Sequence, residues 1–123
     1  MIAADTSSLV AYFTGDQGAD VDKVVDAMRS GNLALPPVVI TELFTDAGAD
    51  VIENDLHDIS ILEIRDGYWI RAGMARRALM RRGFKAKVGD TLIAQSCIDH
   101  DVALITRDKD FRHFAKHCGL KLA

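Results

Sequence analysis

A chain of 123 residues, 49% apolar and 27% charged, is long enough to bury a core of its own, and one domain over residues 1–123 is expected. No apolar run approaches the roughly 20 residues of a membrane-spanning helix, and residues 1–5 lack the basic start of a secretory signal, so the cytoplasm is the expected compartment. The net charge of −3 hides a division: residues 1–64 hold twelve acidic side chains against two basic ones, a balance of −10, and residues 65–123 hold six against thirteen, a balance of +7.

The apolar run 1–4 closes on Asp5 and reads as a short buried strand. Thr6, Ser7 and Ser8 follow it, and their hydroxyls can cap a helix by accepting from free backbone N–H groups. That helix carries Leu9 to Phe13 and breaks at Gly15. A second helix spans 20–28, with Val21, Val24, Val25 and Met28 on one face. Residues 33–36 read as the second strand, and Pro37 suits the first turn of a helix bearing Val39, Ile40, Glu42, Leu43 and Phe44. A short helix and loop are expected over 47–57, and a third strand over 59–64.

A long helix is expected over 66–82, with Tyr68, Ala72, Ala75 and Leu79 as its core stripe and Gly83 as its stop. Ile70 and Met74 fall on its far side near Arg77 and Arg81, which hints at a contact surface. A loop over 84–89 leads to a helix over 91–100, a fourth strand over 102–106, a helix over 111–117 and a last short strand at 120–122. Strands separated by helices imply an α/β fold, with a mainly parallel five-stranded sheet and helices on both faces.

Four acidic residues stand where strands end or helices begin. Asp5 closes the first strand, Glu42 lies one to two turns into the third helix, Asp90 follows Gly89, and Asp108 follows the fourth strand. Each alone has an ordinary explanation. Asp5 suits a turn, Asp90 an N-cap, Asp108 a cap for the helix at Phe111, and Glu42 an exposed helix surface. Together they share the carboxyl rim of a parallel sheet, where ligands bind beside the reversal of strand order. Carboxylates crowded on one rim repel, and a divalent cation is the economical reason to hold them together.

The chain also matches a family in four ordered blocks. Asp5-Thr6-Ser7-Ser8-Leu9-Val10 resembles the opening of PIN domains, and Ile40-Thr41-Glu42-Leu43 their internal glutamate on a helix. Val88-Gly89-Asp90-Thr91-Leu92-Ile93-Ala94 resembles their central block, and Leu104-Ile105-Thr106-Arg107-Asp108-Lys109-Asp110-Phe111 their closing block. The compact length is most similar to the VapC-type toxins of toxin–antitoxin pairs. The resemblance implies a Mg²⁺- or Mn²⁺-dependent endoribonuclease with a five-stranded sheet, often a homodimer, inhibited by a small antitoxin. It implies Asp5, Glu42, Asp90 and Asp108 as the acidic site, with Ser7 and Thr106 at its edge. Many relatives place the last acid just before the Phe, so Asp108, Asp110 or both can be the fourth member.

Mg²⁺ takes oxygen ligands in octahedral geometry and keeps several waters, so a few carboxylates suffice. Asp5 with Asp90 or Asp108 are the expected direct ligands. Glu42 is expected to bind through water or to orient the nucleophile, and Thr106 to hydrogen-bond a carboxylate or a water. RNA phosphates need cations to approach such a pocket, and the basic segment from Arg65 to Lys87 is the candidate source, with Arg76, Arg77, Arg81 and Arg82 as the expected RNA-binding residues. Without the acidic pocket, the same arginines would read as an ordinary solvated helix face. Tyr68, Trp69 and Phe84 can stack on bases, but a core role is expected of each.

His113 and His117 have the i, i+4 spacing of zinc ligands, although a surface or helix-dipole role is expected. Cys97, inside an apolar helix, is expected to be a buried structural thiol. Competing readings are a PIN nuclease of RNA processing without an antitoxin, a receiver-like phospho-acceptor module, and a catalytically silent binding protein. The receiver reading lacks a second acid beside Asp5 and a lysine after a late strand.

Overall fold

The computed structural model describes residues 1–46 and 49–123. Four strands, β1 (Ile2–Ala4), β2 (Leu33–Leu35), β3 (Ser60–Ile61) and β4 (Ala103–Ile105), form one parallel sheet in the order β3-β2-β1-β4. Side chains of a strand alternate between the two faces of a sheet. Leu33, Ala34 and Leu35 are nevertheless all buried, as are Ala3 and Ala4, so helices cover both faces. Parallel strands with both faces buried read as continuous apolar runs, which is how these segments read.

Among the described residues the helices are α1 (Thr6–Phe13), α2 (Ala19–Arg29), α3 (Pro37–Asp46), α4 (Ala49–Leu56), α5 (Tyr68–Arg81), α6 (Val88–His100) and α7 (Phe111–Cys118). The expected short helix and loop over 47–57 is met by α4, while Ala47 and Gly48 lie outside the described residues. The apolar stripes face inward at most of the expected positions, with Val25, Met28 and Ala75 only half-buried. Val21 and Val24 of α2 are buried, joined by Ala27, and so are Tyr68, Ala72 and Leu79 of α5. Phe111, Phe114, Leu9, Leu43, Ile93 and Leu104 are among the largest fully buried side chains of the core.

The expected fifth strand is reduced to a single parallel bridge between Leu104 and Leu122. Leu104 N–H donates to Lys121 O at 2.9 Å and Ala123 N–H to Leu104 O at 2.9 Å, but no second residue pair extends the ladder. The third strand is shorter than its apolar pattern. Leu62 N–H still reaches Leu35 O at 2.9 Å. Beyond Leu35, β2 runs into Pro36 and Pro37, which have no N–H to continue the ladder, and the chain turns into α3. Ile61 and Ile64 are left exposed.

The chain leaves β1 and builds β2 and β3 on one side of it, then returns to lay β4 on the other. Strand order therefore reverses at β1, and a crevice opens past the carboxyl ends of β1 and β4. Phe111, 1% exposed, anchors α7 just after that crevice. Phe111→Ala is expected to lower the unfolding free energy by about 3–5 kcal/mol in urea titrations. A loss below about 1 kcal/mol would show that this ring is not part of the cooperative core.

Candidate active site

Asp5 occupies the crevice floor. Its N–H donates to Ile105 O at 3.0 Å, which ties the ends of β1 and β4 together. Its side chain is buried, and three donors close around it. Ser8 N–H reaches Oδ1 at 3.0 Å, Thr106 Oγ1 donates to Oδ2 at 2.6 Å, and Ser7 Oγ lies 2.9 and 2.8 Å from the two oxygens. The first of these is the N-cap bond of α1. Asp5 itself therefore caps the helix in extended backbone, while Thr6, Ser7 and Ser8 already take helical positions. Three donors on a carboxylate with about four lone-pair sites leave little capacity unused.

The other acids arrive from three further elements. Glu42 projects from α3, and its Oε1 accepts from Thr6 Oγ1 at 2.9 Å. Asp90 stands third in α6, whose N-cap is Lys87, so it does not serve as the cap. Asp108 follows β4. Its N–H donates to Thr106 Oγ1 at 3.0 Å, and its Oδ1 accepts from Asp110 N–H at 2.9 Å. The Thr106 hydroxyl thus accepts from Asp108 and donates to Asp5, linking two acids through one oxygen.

Asp5, Glu42, Asp90 and Asp108 line a single open cleft of about 490 Å³, together with Thr6, Ser7, Val10, Lys87 and Ile93. Beside the cleft-lining Asp90 and Asp108 stands Asp110, and each of the three offers a carboxylate oxygen, all within 4.8 Å of one another. Opposite ligands of an octahedral Mg²⁺ stand about 4.2 Å apart, so small side-chain rotations would close this trio on one ion. An all-carboxylate donor set suits Mg²⁺ or Mn²⁺ rather than a softer metal. Asp5, expected as a direct ligand, lies outside the tightest trio, and Asp110 lies inside it.

A family model described as "PIN domain" matches residues 2–117. The chain belongs to the PIN domain family. Seventeen chains of known structure match its fold. One belongs to the "Crystal structure of VapBC2 from Rickettsia felis bound to a DNA fragment from their promoter", with a TM-score of 0.79 and 18% identity over 100% of this chain and 98% of that one. At that identity the likeness is one of fold. No curated protein matches the chain in sequence. All four sequence blocks fall inside the matched PIN region.

Outside the PIN cleft, the expected residues are distributed unevenly. Arg76, Arg77 and Arg81 line an open groove on α5 with Gly73 and Met80. Arg77 and Arg81 are exposed there, whereas Arg76 uses its Nε to donate to Ala86 O at 2.8 Å. Arg82 is the C-cap of α5 and faces His117 and Cys118. Trp69 departs from its expected core role. It is 64% exposed, beside Ile70 at 71% and Met74 at 55%. Tyr68 is buried as expected, and its hydroxyl donates to Leu92 O at 2.7 Å.

His113 and His117 stack on Phe84, with ring centroids 4.2 and 5.3 Å from it. Among the described residues no third ligand joins them. Cys97 is buried as expected, and burial pushes its thiol up to about 12, so it is inert.

Sequence reasoning missed three contributors, Thr6, Gly89 and Arg107, and gave a fourth, Lys87, no place in the cleft itself. Thr6 orients Glu42, and Gly89 brings the α6 backbone up to Glu42, where an added Cβ would sit 3.4 Å from Oε2. Lys87 was expected as the end of the basic segment that draws RNA, and it stands on the cleft wall one helical turn before Asp90. Arg107 lies inside the closing block, but its partners are far away in sequence. It bonds Asp20 at 2.8 Å and Asp16 at 2.9 Å, and Asp20 accepts from Ser8 Oγ at 2.8 Å. That network holds the segment before α2 against the end of β4, and Arg107 holds the Asp20 carboxyl down at about 2.

The acids of the cleft are electrostatically burdened. Burial raises the Asp5 carboxyl, against the lowering effect of its hydrogen bonds. Burial, followed by the charge of Asp108, pushes Asp90 up to about 6, with Lys87 pulling the other way. A carboxyl raised in the fold contributes stability that is fully present below its unfolded value of 3.8 and is lost as pH rises through about 6. His117 acts in the opposite sense. Burial lowers it, so its contribution is lost as pH falls below 6.5.

The difference between the native protein and Asp90→Asn isolates the site. With EDTA, Asp90→Asn is expected to melt higher than the native protein at pH 7.5 and to match it at pH 4. Mg²⁺ or Mn²⁺ is expected to raise the native melting temperature at pH 7.5 more than at pH 5, and to raise that of the variant much less. Equal metal shifts in both proteins would remove Asp90 from the metal site.

Proposed function

We propose that this PIN protein is a divalent-metal-dependent endoribonuclease, acting as the toxin of a toxin–antitoxin pair of the VapC type. The observation that carries the reading is the convergence of Asp5, Glu42, Asp90 and Asp108 in one cleft, with Asp110 completing a trio of ion-binding size. Asp90, Asp108 and Asp110 would hold the ion. A divalent ion bound there supplies Lewis acidity toward phosphoryl oxygens and makes water more acidic. Asp5, held by Ser7, Ser8 and Thr106, keeps the negative field of the floor and orients Thr106 and, through it, the Asp108 backbone. Glu42 uses Oε1 on Thr6, and its second oxygen would orient the attacking water.

Arg77 and Arg81 draw the RNA backbone toward the cleft through their exposed charges. The VapBC2 neighbour, solved with its two named components together, supports a small protein partner for this chain also. Self-association belongs to the same reading, with the exposed Trp69, Ile70 and Met74 as the face a second copy would cover.

The test is cleavage of total RNA by purified protein with Mg²⁺, Mn²⁺ or EDTA. Metal-dependent cutting is expected, and Asp5→Asn is expected to lower it by about 100-fold or more while keeping the native melting temperature or raising it. An Asp5→Asn protein that cuts at the native rate would end the assignment. Arg77→Ala/Arg81→Ala is expected to weaken RNA binding and flatten log K against log salt by about 1.4, at about 0.7 per phosphate contact on single strands. An unchanged slope would take this patch out of RNA binding.

A further inference from the structure

Among the described residues, the acidic cleft has one basic side chain on its wall, Lys87. Among the described residues no ion pair holds its ammonium, although Asp90 lies one turn away and shares the cleft. Its backbone, by contrast, is fixed on both sides. Lys87 O accepts from Thr91 N–H at 3.0 Å and from Thr91 Oγ1 at 2.8 Å, and Thr91 is buried. One residue earlier, the buried Ala86 gives its carbonyl to Arg76 Nε at 2.8 Å. The Cα of Lys87 is therefore set at the cleft wall, while its four-carbon stem and charge remain free to move.

Two alternatives for attracting a phosphate at this wall are weaker. The N-terminus of α6 would offer free backbone N–H groups, but the Glu42 carboxylate already stands against Gly89 there. Arg77 and Arg81 line the separate groove on α5. A phosphodiester entering the cleft meets four carboxylates and, among the described residues, one basic side chain.

We propose that Lys87 is the residue that seats the scissile phosphodiester of the substrate over the acidic cluster, and that Arg76 is its positioning residue, acting through the Ala86 carbonyl. This inference rests on the nuclease reading of the cleft. A compact, flexible ammonium can contact a non-bridging phosphate oxygen as a point charge, without the fixed planar fork that arginine would bring among carboxylates. The basic residues along α5 would thus divide their work. Arg77 and Arg81 gather the strand, and Arg76 gives up Nε to hold the loop that carries Lys87.

The test uses two readouts. Binding of a fluorescein-labelled single-stranded RNA of mixed sequence is followed by anisotropy across a salt series, in the Asp5→Asn background with and without Lys87→Gln. The slope of log K against log salt is expected to fall by about 0.7. In the otherwise native protein, Lys87→Gln is expected to lower kcat by about 100-fold with a smaller change in KM. Lys87→Arg is expected to restore the salt slope and part of the rate. Arg76→Lys, which keeps the charge but loses the Nε geometry, is expected to lower kcat while leaving the slope unchanged.

An unchanged slope with unchanged kcat would overturn the proposal. So would tighter Mg²⁺ binding with an unchanged slope, because Lys87 would then be only a counter-charge for the acids. The slope reads Lys87 whether or not the native protein cuts RNA. Failure of native cleavage therefore counts against the nuclease reading, and an unchanged slope counts against Lys87.

Discussion

Mutual repulsion among carboxylates is the constraint around which this fold is arranged. Two unit charges near 5 Å apart interact by about 3 kcal/mol at an effective dielectric of about 20, and three aspartates approach within 4.8 Å here. Net stabilities of domains are only about 5–15 kcal/mol. Such a cluster persists only if the surrounding structure leaves its members no alternative position. The reversal of strand order at β1 meets that need. It brings the residue after β1 and the residues after β4 side by side, and the Asp5 N–H to Ile105 O bond locks the two strand ends together.

Three of the acids are then held in place by hydrogen bonds from neighbouring residues. Asp5 is fixed by a cap bond and two hydroxyls, Glu42 by Thr6, and Asp108 by Thr106 and the Asp110 N–H. Behind them, Arg107 with Asp16, Asp20 and Ser8 forms a charged tether between the start of α2 and the end of β4. Arg71 similarly joins α5 to α6 through Asp99, at 2.6 and 3.0 Å. The division of charge along the chain takes on a spatial meaning in this arrangement. The acidic first half supplies Asp5 and Glu42 to the cleft; the basic second half supplies Lys87, Asp90 and Asp108 to it and the α5 arginines to a separate groove.

Much of this was legible before folding. β1, β2 and β4 are apolar runs bounded by Asp, Pro or Thr, and buried parallel strands have few other ways to read. The inward stripes of α2 and α5 follow helical periodicity. The legible elements fail where a partner decides the outcome. Residues 59–64 carry a strand pattern, but only two of them are β3 because Pro36 ends the neighbouring ladder. The apolar Leu120 and Leu122 suggest a strand, but β4 offers them one bridge. Trp69 carries the composition of a core residue, yet it lies beside the buried stripe and faces outward.

The sequence alone determined the order of strands and helices, the inward faces, and the four acids set at element boundaries. These depend on local periodicity, capping chemistry and the missing N–H of proline, all of which act over a few residues. Only the tertiary structure decided which acids meet most closely, that Asp110 joins Asp90 and Asp108, and that Arg107 and Arg76 are spent on holding the frame. It also singled out Lys87 among thirteen basic residues of the second half as the one that lines the cleft. Those outcomes depend on distances between segments up to about a hundred residues apart, as between Asp5 and Thr106. Such distances are set by how the strands are ordered and packed, not by any local pattern.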